Sequence, residues 1–172
     1  GPADNPDVVA FLGWEWTQMG NTPATHYGHK NVILRETADD RVPQRPIVAG
    51  GVAFKAMRND PLPPIERVIS PYLADFANRD RQFLQQDKRH ELIDTPVCAP
   101  DVNTRELPAD CIEVADTPRE LFRKLDEWGG EALVIPHGTT WGYYTPPGSD
   151  WKKQLTREEH DPRRQKLIEV YS

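Results

Sequence analysis

Short apolar segments recur along this chain, and most show the two-residue alternation or the unbroken apolar run that is typical of β-strands. The first places Trp14 and Trp16 on one face, and Phe11, Gly13 and Glu15 on the other. With large apolar residues on both faces, we expect this strand to be covered on both sides, so that Glu15 needs a cation or a metal ion. The alternative is a carboxylate on the solvent side of an edge strand. The predicted strands cover residues 8–17, 28–36, 111–116, 131–136 and 167–172.

The segment before the fourth predicted strand carries a complete set of helix signals. Thr117 is a suitable N-cap, Pro118 suits the first helical position, and Glu120 completes a capping box. Gly129 is suited to cap the C-terminal end. The segment therefore predicts an amphipathic helix, whose apolar face consists of Leu121, Phe122, Leu125 and Trp128.

The middle of the chain, residues 37–116, is predicted to be a loop-rich insertion with helices, within a single domain that spans residues 1–172. Residues 35–59 show no clear periodicity and predict an extended excursion. Residues 63–94 predict two or three helical pieces, the first of which begins at Pro64. Proline accounts for 17 of the 172 residues. The usual share is ~5%, so this content agrees with a fold that is rich in loops.

Two cysteines, Cys98 and Cys111, flank a loop that contains proline and aspartate. Their spacing fits neither a zinc ribbon nor a C-x-x-C redox motif. They are either two unrelated buried thiols or a disulfide that closes this loop, and the residues alone leave both readings open. If the disulfide forms, we expect a periplasmic or secreted protein, and otherwise a cytoplasmic one.

The charge and hydropathy of the chain exclude two classes of partner. The formal net charge is −6, and no long run of basic residues is present, so we expect no nucleic-acid interface. No apolar stretch approaches the ~18 residues that cross a bilayer, so we expect no contact with a membrane.

Several predicted strands carry a metal-binding side chain at or near one end. Glu15 lies in the first strand, His29 lies at the start of the second, and His137 follows the strand at 131–136. A carboxylate and two imidazoles form a ligand set that suits zinc, manganese or iron. A divalent ion held there would activate a water molecule for hydrolysis. Glu169, on the last predicted strand, is a candidate for a supporting role beside the site.

A turn-rich loop at 139–151 carries an unusual number of aromatic residues. Such a loop either packs on its own side chains or forms the wall or lid of a pocket. In the second case Trp141 and Tyr143 would contact the substrate, and Asn31 is a further candidate on the second strand. His26, in the loop before that strand, is predicted to be a surface residue.

Five motifs are spread over nearly the whole chain, namely GWEWT, GHKNVIL, TPRELFRKLDEWGG, VIPHGTTWG and IEVYS. Together they resemble an uncharacterised family related to the PHP (polymerase and histidinol phosphatase) metal-dependent hydrolases. The resemblance implies an α/β fold, part of a distorted β/α barrel that binds metal ions at the C-terminal ends of its strands. It also implies that Glu15 matches a metal-bridging glutamate, and that His29 and His137 match metal-binding histidines. Glu169 would then lie next to the site, as a group that faces the substrate or supports the ligands.

Other motifs of that family, including an H-x-H motif at its start, are not in this chain, so the resemblance implies an internal fragment of a larger domain. We therefore expect a fragment of a metal-dependent hydrolase of the phosphoesterase type, which acts on a small-molecule ester through metal-activated water. Two alternatives are an aromatic-lined module that binds carbohydrate or peptide, and a subdomain without catalysis. An isolated fragment is also expected to expose sheet edges and to self-associate through them.

Overall fold

The computed structural model describes residues 8–59 and 63–170, which form two small sheets and four α-helices. The strands are β1 (Gly13–Gln18), β2 (Gly28–Leu34), β3 (Ile47–Val48), β4 (Glu113–Val114) and β5 (Ala132–His137). The helices are α1 (Val52–Asn59), α2 (Pro64–Ala74), α3 (Arg79–Asp94) and α4 (Pro118–Trp128), with short 3₁₀ turns at Phe76–Asn78 and Trp151–Lys153. Within the described ranges, none of these helices is long and apolar enough to cross a membrane.

The main sheet has the strand order β1–β2–β5, and both of its strand pairs are antiparallel. Its register places Glu15 opposite Asn31. It also places Thr17 opposite His29, and His29 opposite His137. Because directly opposed side chains of an antiparallel pair lie on the same face, these five residues share one face of the sheet.

The other face of the main sheet forms the hydrophobic core together with α4. Trp16, Val32 and Val134 are fully buried there, in one apolar cluster with Leu121 and Leu125 of the helix. Burying side chains of this size contributes roughly 1.5–3 kcal/mol each, so this cluster fixes the sheet against α4. The expectation that β1 is covered on both faces is wrong. The residues of its second face are exposed or half-buried.

The predicted helix after β4 is confirmed as α4, with the predicted caps. The backbone N–H of Glu120 donates to the Thr117 hydroxyl at 3.2 Å, and the Glu120 carboxylate accepts from the Thr117 N–H at 3.2 Å. Gly129 ends the helix in the left-handed region, with φ of 83°. These reciprocal bonds satisfy backbone donors that the first turn of a helix leaves without partners.

The helices predicted for residues 63–94 are confirmed as α2, a 3₁₀ turn and α3. The extended excursion predicted for 35–59 is wrong at its end, because α1 occupies its last eight residues. The Arg58 guanidinium donates to the carbonyls of Leu92 and Thr95 at 2.7 and 2.8 Å, which ties α1 to the end of α3. These contacts join residues that are 34 and 37 positions apart, so the sequence around α1 does not show them.

The two cysteines form a disulfide. Cys98 and Cys111 are bonded, both are buried, and they pack with Leu107 of the loop that they close. Val97 and Ile112 pair as an isolated β-bridge beside the bond. The loop is therefore fixed at its base by one covalent bond and by backbone pairing.

The predicted β/α barrel is wrong. In the described residues no barrel closes, and the main sheet contains three antiparallel strands beside a separate parallel pair. A β/α barrel needs parallel strands that are joined by helices. Here the loop at 19–27 returns the chain directly from β1 into β2, and such a short connection holds two strands antiparallel.

The last predicted strand, at 167–172, is wrong in its described part. Residues 167–170 form no strand, although the Glu169 N–H donates to the Pro136 carbonyl of β5 at 3.0 Å. Residues 171–172 lie outside the described part of the chain. A single backbone bond of this kind aligns the segment with β5 but does not extend the sheet.

Candidate metal centre

Three side chains that could bind a metal ion converge at one end of the open face of the main sheet. One ligand atom from each of Glu15, His29 and His137 lies within 4.8 Å of the other two. The strand register explains this convergence. His29 is directly opposite His137 on one side and Thr17 on the other, and Glu15 lies two residues before Thr17 on the same face of β1. The two imidazole rings stack with 5.3 Å between their centroids and an interplanar angle of 29°.

Glu15 and His29 also contact each other directly. The Glu15 Oε1 atom lies 2.5 Å from Nδ1 of His29 and accepts a hydrogen bond of 2.7 Å from the Thr17 hydroxyl. Burial raises the pKa of Glu15, but these two hydrogen bonds and the electrostatic effect of the nearby His29 and His137 rings lower it by more. The net result is a Glu15 pKa below its usual range, so the carboxylate is ionised at neutral pH.

His137 is the most buried member of the group, with 6% of its surface exposed. It is the last residue of β5, and its Nδ1 atom lies 3.4 Å from the Ile135 carbonyl. Gly28 permits this close packing of β2 and β5. Its φ is +65°, and a Cβ atom added to it would lie 2.7 Å from the His137 carbonyl oxygen.

The donor chemistry of the group fits a divalent transition-metal ion. It offers three ligand atoms, one carboxylate oxygen and two imidazole nitrogens. A catalytic zinc site that keeps one position for water has the same number of protein ligands. The Glu15 side chain is 47% exposed and that of His29 is 18% exposed, so the group opens to solvent on one side. Within the described part of the chain, both hydrogen bonds to Glu15 use Oε1, which leaves Oε2 available.

The other predicted site residues differ in their exposure and in their position relative to this group. Asn31 is half-buried on the same sheet face, opposite Glu15. Tyr143 is 90% exposed and lines a cavity beside His29, whereas Trp141, 61% exposed, does not line that cavity. Glu169 is exposed and is not a member of the three-residue group.

His26 is not a surface residue, so the prediction made for it is wrong. It is 3% exposed, and its Nε2 atom lies 3.0 Å from the carbonyl oxygen of Gly138, directly after His137. Burial lowers the pKa of His26 by more than this hydrogen bond raises it, so the ring is neutral at pH 7. The partner is 112 residues away, and no local pattern signals such a contact.

A buried lysine lies on the core face of β2, behind the metal group. Lys30 is fully buried, and its ammonium donates to the Tyr27 carbonyl at 3.0 Å and to Oε1 of Gln154 at 2.7 Å. Burial lowers the pKa of Lys30 to about 7. The two-residue alternation of β2 puts Lys30 on the same face as Val32 and Leu34, and that signal in the sequence could have identified it as buried.

Comparisons of the chain with models of protein families, with curated proteins and with solved structures find no match. The case for a metal centre therefore depends on the convergence of Glu15, His29 and His137 on one sheet face.

Proposed function

We propose that this chain binds a divalent metal ion, zinc, manganese or iron, through Glu15, His29 and His137, and that it is a fragment of a metal-dependent hydrolase of the phosphoesterase type. The observation that carries the proposal is the distance of at most 4.8 Å between ligand atoms from three strands of one sheet. The five motifs that resemble PHP-related hydrolases support the same chemistry.

A divalent ion bound there would supply Lewis acidity, making a water molecule more acidic and drawing charge from the ester. The protein residues have separate tasks. The ionised Glu15 carboxylate offsets part of the charge of the ion, and the Thr17 hydroxyl, 2.7 Å from Oε1, fixes the orientation of that carboxylate. His137 is held by the end of β5, while the exposed side of Glu15 admits water and substrate.

The test is elemental analysis of the purified chain after reconstitution with Zn²⁺, Mn²⁺ or Fe²⁺ and dialysis. We expect about one equivalent of ion in the parent chain and none in a Glu15→Ala, His137→Ala double variant. The matched control is Glu131→Ala with His90→Ala, which removes the same residue types outside the three-residue group and should keep the ion. A metal-free parent chain would refute the proposed site.

Hydrolysis is tested separately with bis(p-nitrophenyl) phosphate as the probe. The reconstituted chain should release p-nitrophenol, and both chelation and the Glu15→Ala, His137→Ala double variant should stop the release. A chain that holds its ion but leaves this probe and simple phosphomonoesters intact would be a metal-binding module, and the hydrolase part of the proposal would fail.

We further propose that the protein works in an oxidising compartment, periplasmic or extracellular. The support is the bond between Cys98 and Cys111, because disulfides persist in such compartments and are rare where thiols are kept reduced. Labelling of free thiols in unfolded protein taken directly from the native host would test this. Thiols that are mostly free would contradict it.

A further inference from the structure

A small cavity adjoins the metal centre on the side of the aromatic loop. Its volume is about 160 Å³, and its walls include His29, Tyr143 and Tyr144. His29 belongs to both the cavity and the metal group, so a molecule in the cavity lies beside that group. A cavity of about 150 Å³ with apolar walls can hold benzene, so this space matches a single aromatic ring.

Two tyrosine rings form one corner of the cavity. The rings of Tyr143 and Tyr144 meet edge to face at an angle of 89°, with 4.9 Å between their centroids. They are 90% and 62% exposed, so much of their surface is uncovered in the described part of the chain. Aromatic rings contact one another best in offset or edge-to-face arrangements, and this corner offers both a face and an edge.

Two polar side chains of the cavity wall, those of His26 and Thr145, are already bonded to the protein. His26 Nε2 lies 3.0 Å from the Gly138 carbonyl oxygen, and the Thr145 hydroxyl donates to the same oxygen at 3.1 Å. Among the described residues, no Lys, Arg, Asp or Glu lines the cavity. A charged group placed there would meet none of these side chains, whereas an uncharged aromatic ring needs no such partner.

We infer that this cavity binds an uncharged aromatic ring of the substrate, so that the ester hydrolysed at the metal centre is an aryl phosphoester. The inference rests on the proposed function of the site. In the reaction, the water oxygen forms a bond to phosphorus while the bond between phosphorus and the aryl oxygen breaks. The aryl oxygen leaves with the electron pair and takes up a proton released by the water, which yields a phenol and the phosphate product.

The experiment compares the binding of phenylphosphonate and methylphosphonate by isothermal titration calorimetry, with the chain loaded with Zn²⁺ and with the metal-free chain. The two probes share a head group and differ in the ring. We expect phenylphosphonate to bind about tenfold more tightly. Tyr143→Ala should remove most of this preference without changing the affinity for Zn²⁺, whereas Tyr143→Phe should retain it. Tyr72→Ala, which truncates a half-exposed tyrosine of α2, is the matched control and should also retain it.

The outcomes distinguish a failure of this inference from a failure of the proposed function. Equal affinities for the two probes in a chain that holds Zn²⁺ overturn the inference and leave the proposed function standing. A preference that survives Tyr143→Ala, or that is lost equally in Tyr72→Ala, also overturns the inference. A chain that binds no metal refutes the proposed function, and the metal-free titrations then judge the cavity: absence of phenylphosphonate binding there overturns the inference as well.

Discussion

His29 and His137 lie directly opposite each other on neighbouring antiparallel strands, and their rings stack with 5.3 Å between centroids. This pairing fixes two of the three candidate ligands by backbone register, without any contribution from a flexible loop. The third, Glu15, reaches His29 across the next strand pair at 2.5 Å. A site built on strands keeps its geometry better than one built on loops. The affinity of this site for a metal ion should therefore depend on how closely the strands approach each other.

Gly28 is the position where this dependence can be measured. Gly28→Ala would place a Cβ atom 2.7 Å from the His137 carbonyl oxygen at a φ of +65°. We expect a loss of stability of about 2–3 kcal/mol and weaker metal binding, because β2 and β5 must separate. Urea denaturation and a Zn²⁺ titration measure the two effects.

Gly148→Ala is the matched control for this substitution. Gly148 also has a positive φ, +83°, but the nearest atom to an added Cβ is 3.9 Å away, so that variant carries backbone strain without a clash. Its cost should be about 1 kcal/mol, and metal binding should be unchanged. Equal effects of the two substitutions would show that the close approach of the strands is not what Gly28 provides.

The Thr17 hydroxyl should matter to metal binding although Thr17 is not itself a candidate ligand. Thr17→Val removes the 2.7 Å hydrogen bond to Oε1 of Glu15 and keeps the shape of the side chain. Loss of a group that orients a ligand typically lowers metal affinity by about 10-fold to 100-fold, and we expect the lower end because Glu15 is partly exposed. The Zn²⁺ dissociation constant measures this, and Thr156→Val, an exposed threonine that bonds the Lys153 carbonyl, serves as control. An unchanged constant in Thr17→Val would count against Glu15 as a ligand.

The features that the sequence predicts well are the ones with local causes. Helix α4 is framed by a capping box at Thr117 and by Gly129, all within a few residues of its ends, so its limits could be predicted. The strands β2 and β5 follow from local apolar runs. Local signals of this kind are independent of how the strands later pair.

Strand pairing and burial depend on contacts between distant residues, and the predictions failed there. The direction of β5 relative to β2 is decided by the chain between them, so three antiparallel strands could not be distinguished from part of a barrel. The prediction that His26 is a surface residue is wrong for the same reason, since its partner Gly138 is far away in sequence. The spacing of Glu15, His29 and His137 could not reveal their proximity, which follows from register. Their role as metal ligands stays a prediction.

The disulfide should stabilise the fold without affecting the metal centre. Cys98 and Cys111 are separated by 13 positions, and closing a loop of that length contributes about 3 kcal/mol by restricting the unfolded chain. A Cys98→Ser, Cys111→Ser double variant should therefore unfold at lower urea concentration. Its Zn²⁺ affinity should equal that of the parent chain, since neither cysteine belongs to the metal group. A parallel fall in affinity would mean that the loop and the metal centre are coupled.

Lys30 gives the fold a dependence on pH that can be measured. Burial lowers the pKa of Lys30 to about 7 from its ordinary 10.5, so the unfolded chain binds an additional proton between these values. Because stability rises with pH wherever the unfolded state binds more protons, the protein should become more stable between pH 7 and pH 9, by about 2 kcal/mol for one proton. Burial also lowers the pKa of the Lys153 ammonium, which gives a pH dependence of the same sign.

Lys30→Met tests this assignment, because it keeps the length of the side chain and removes the titrating group. The free energy of unfolding, measured by urea denaturation at pH 7, 8 and 9, should rise less steeply in Lys30→Met than in the parent chain. Lys88→Met, which removes an exposed lysine paired with Glu91, should keep the parent slope. If Lys30→Met kept that slope as well, Lys30 would be charged in the folded protein throughout this range. Its bonds to the Tyr27 carbonyl and to Gln154 would then stabilise the ammonium enough to offset its burial.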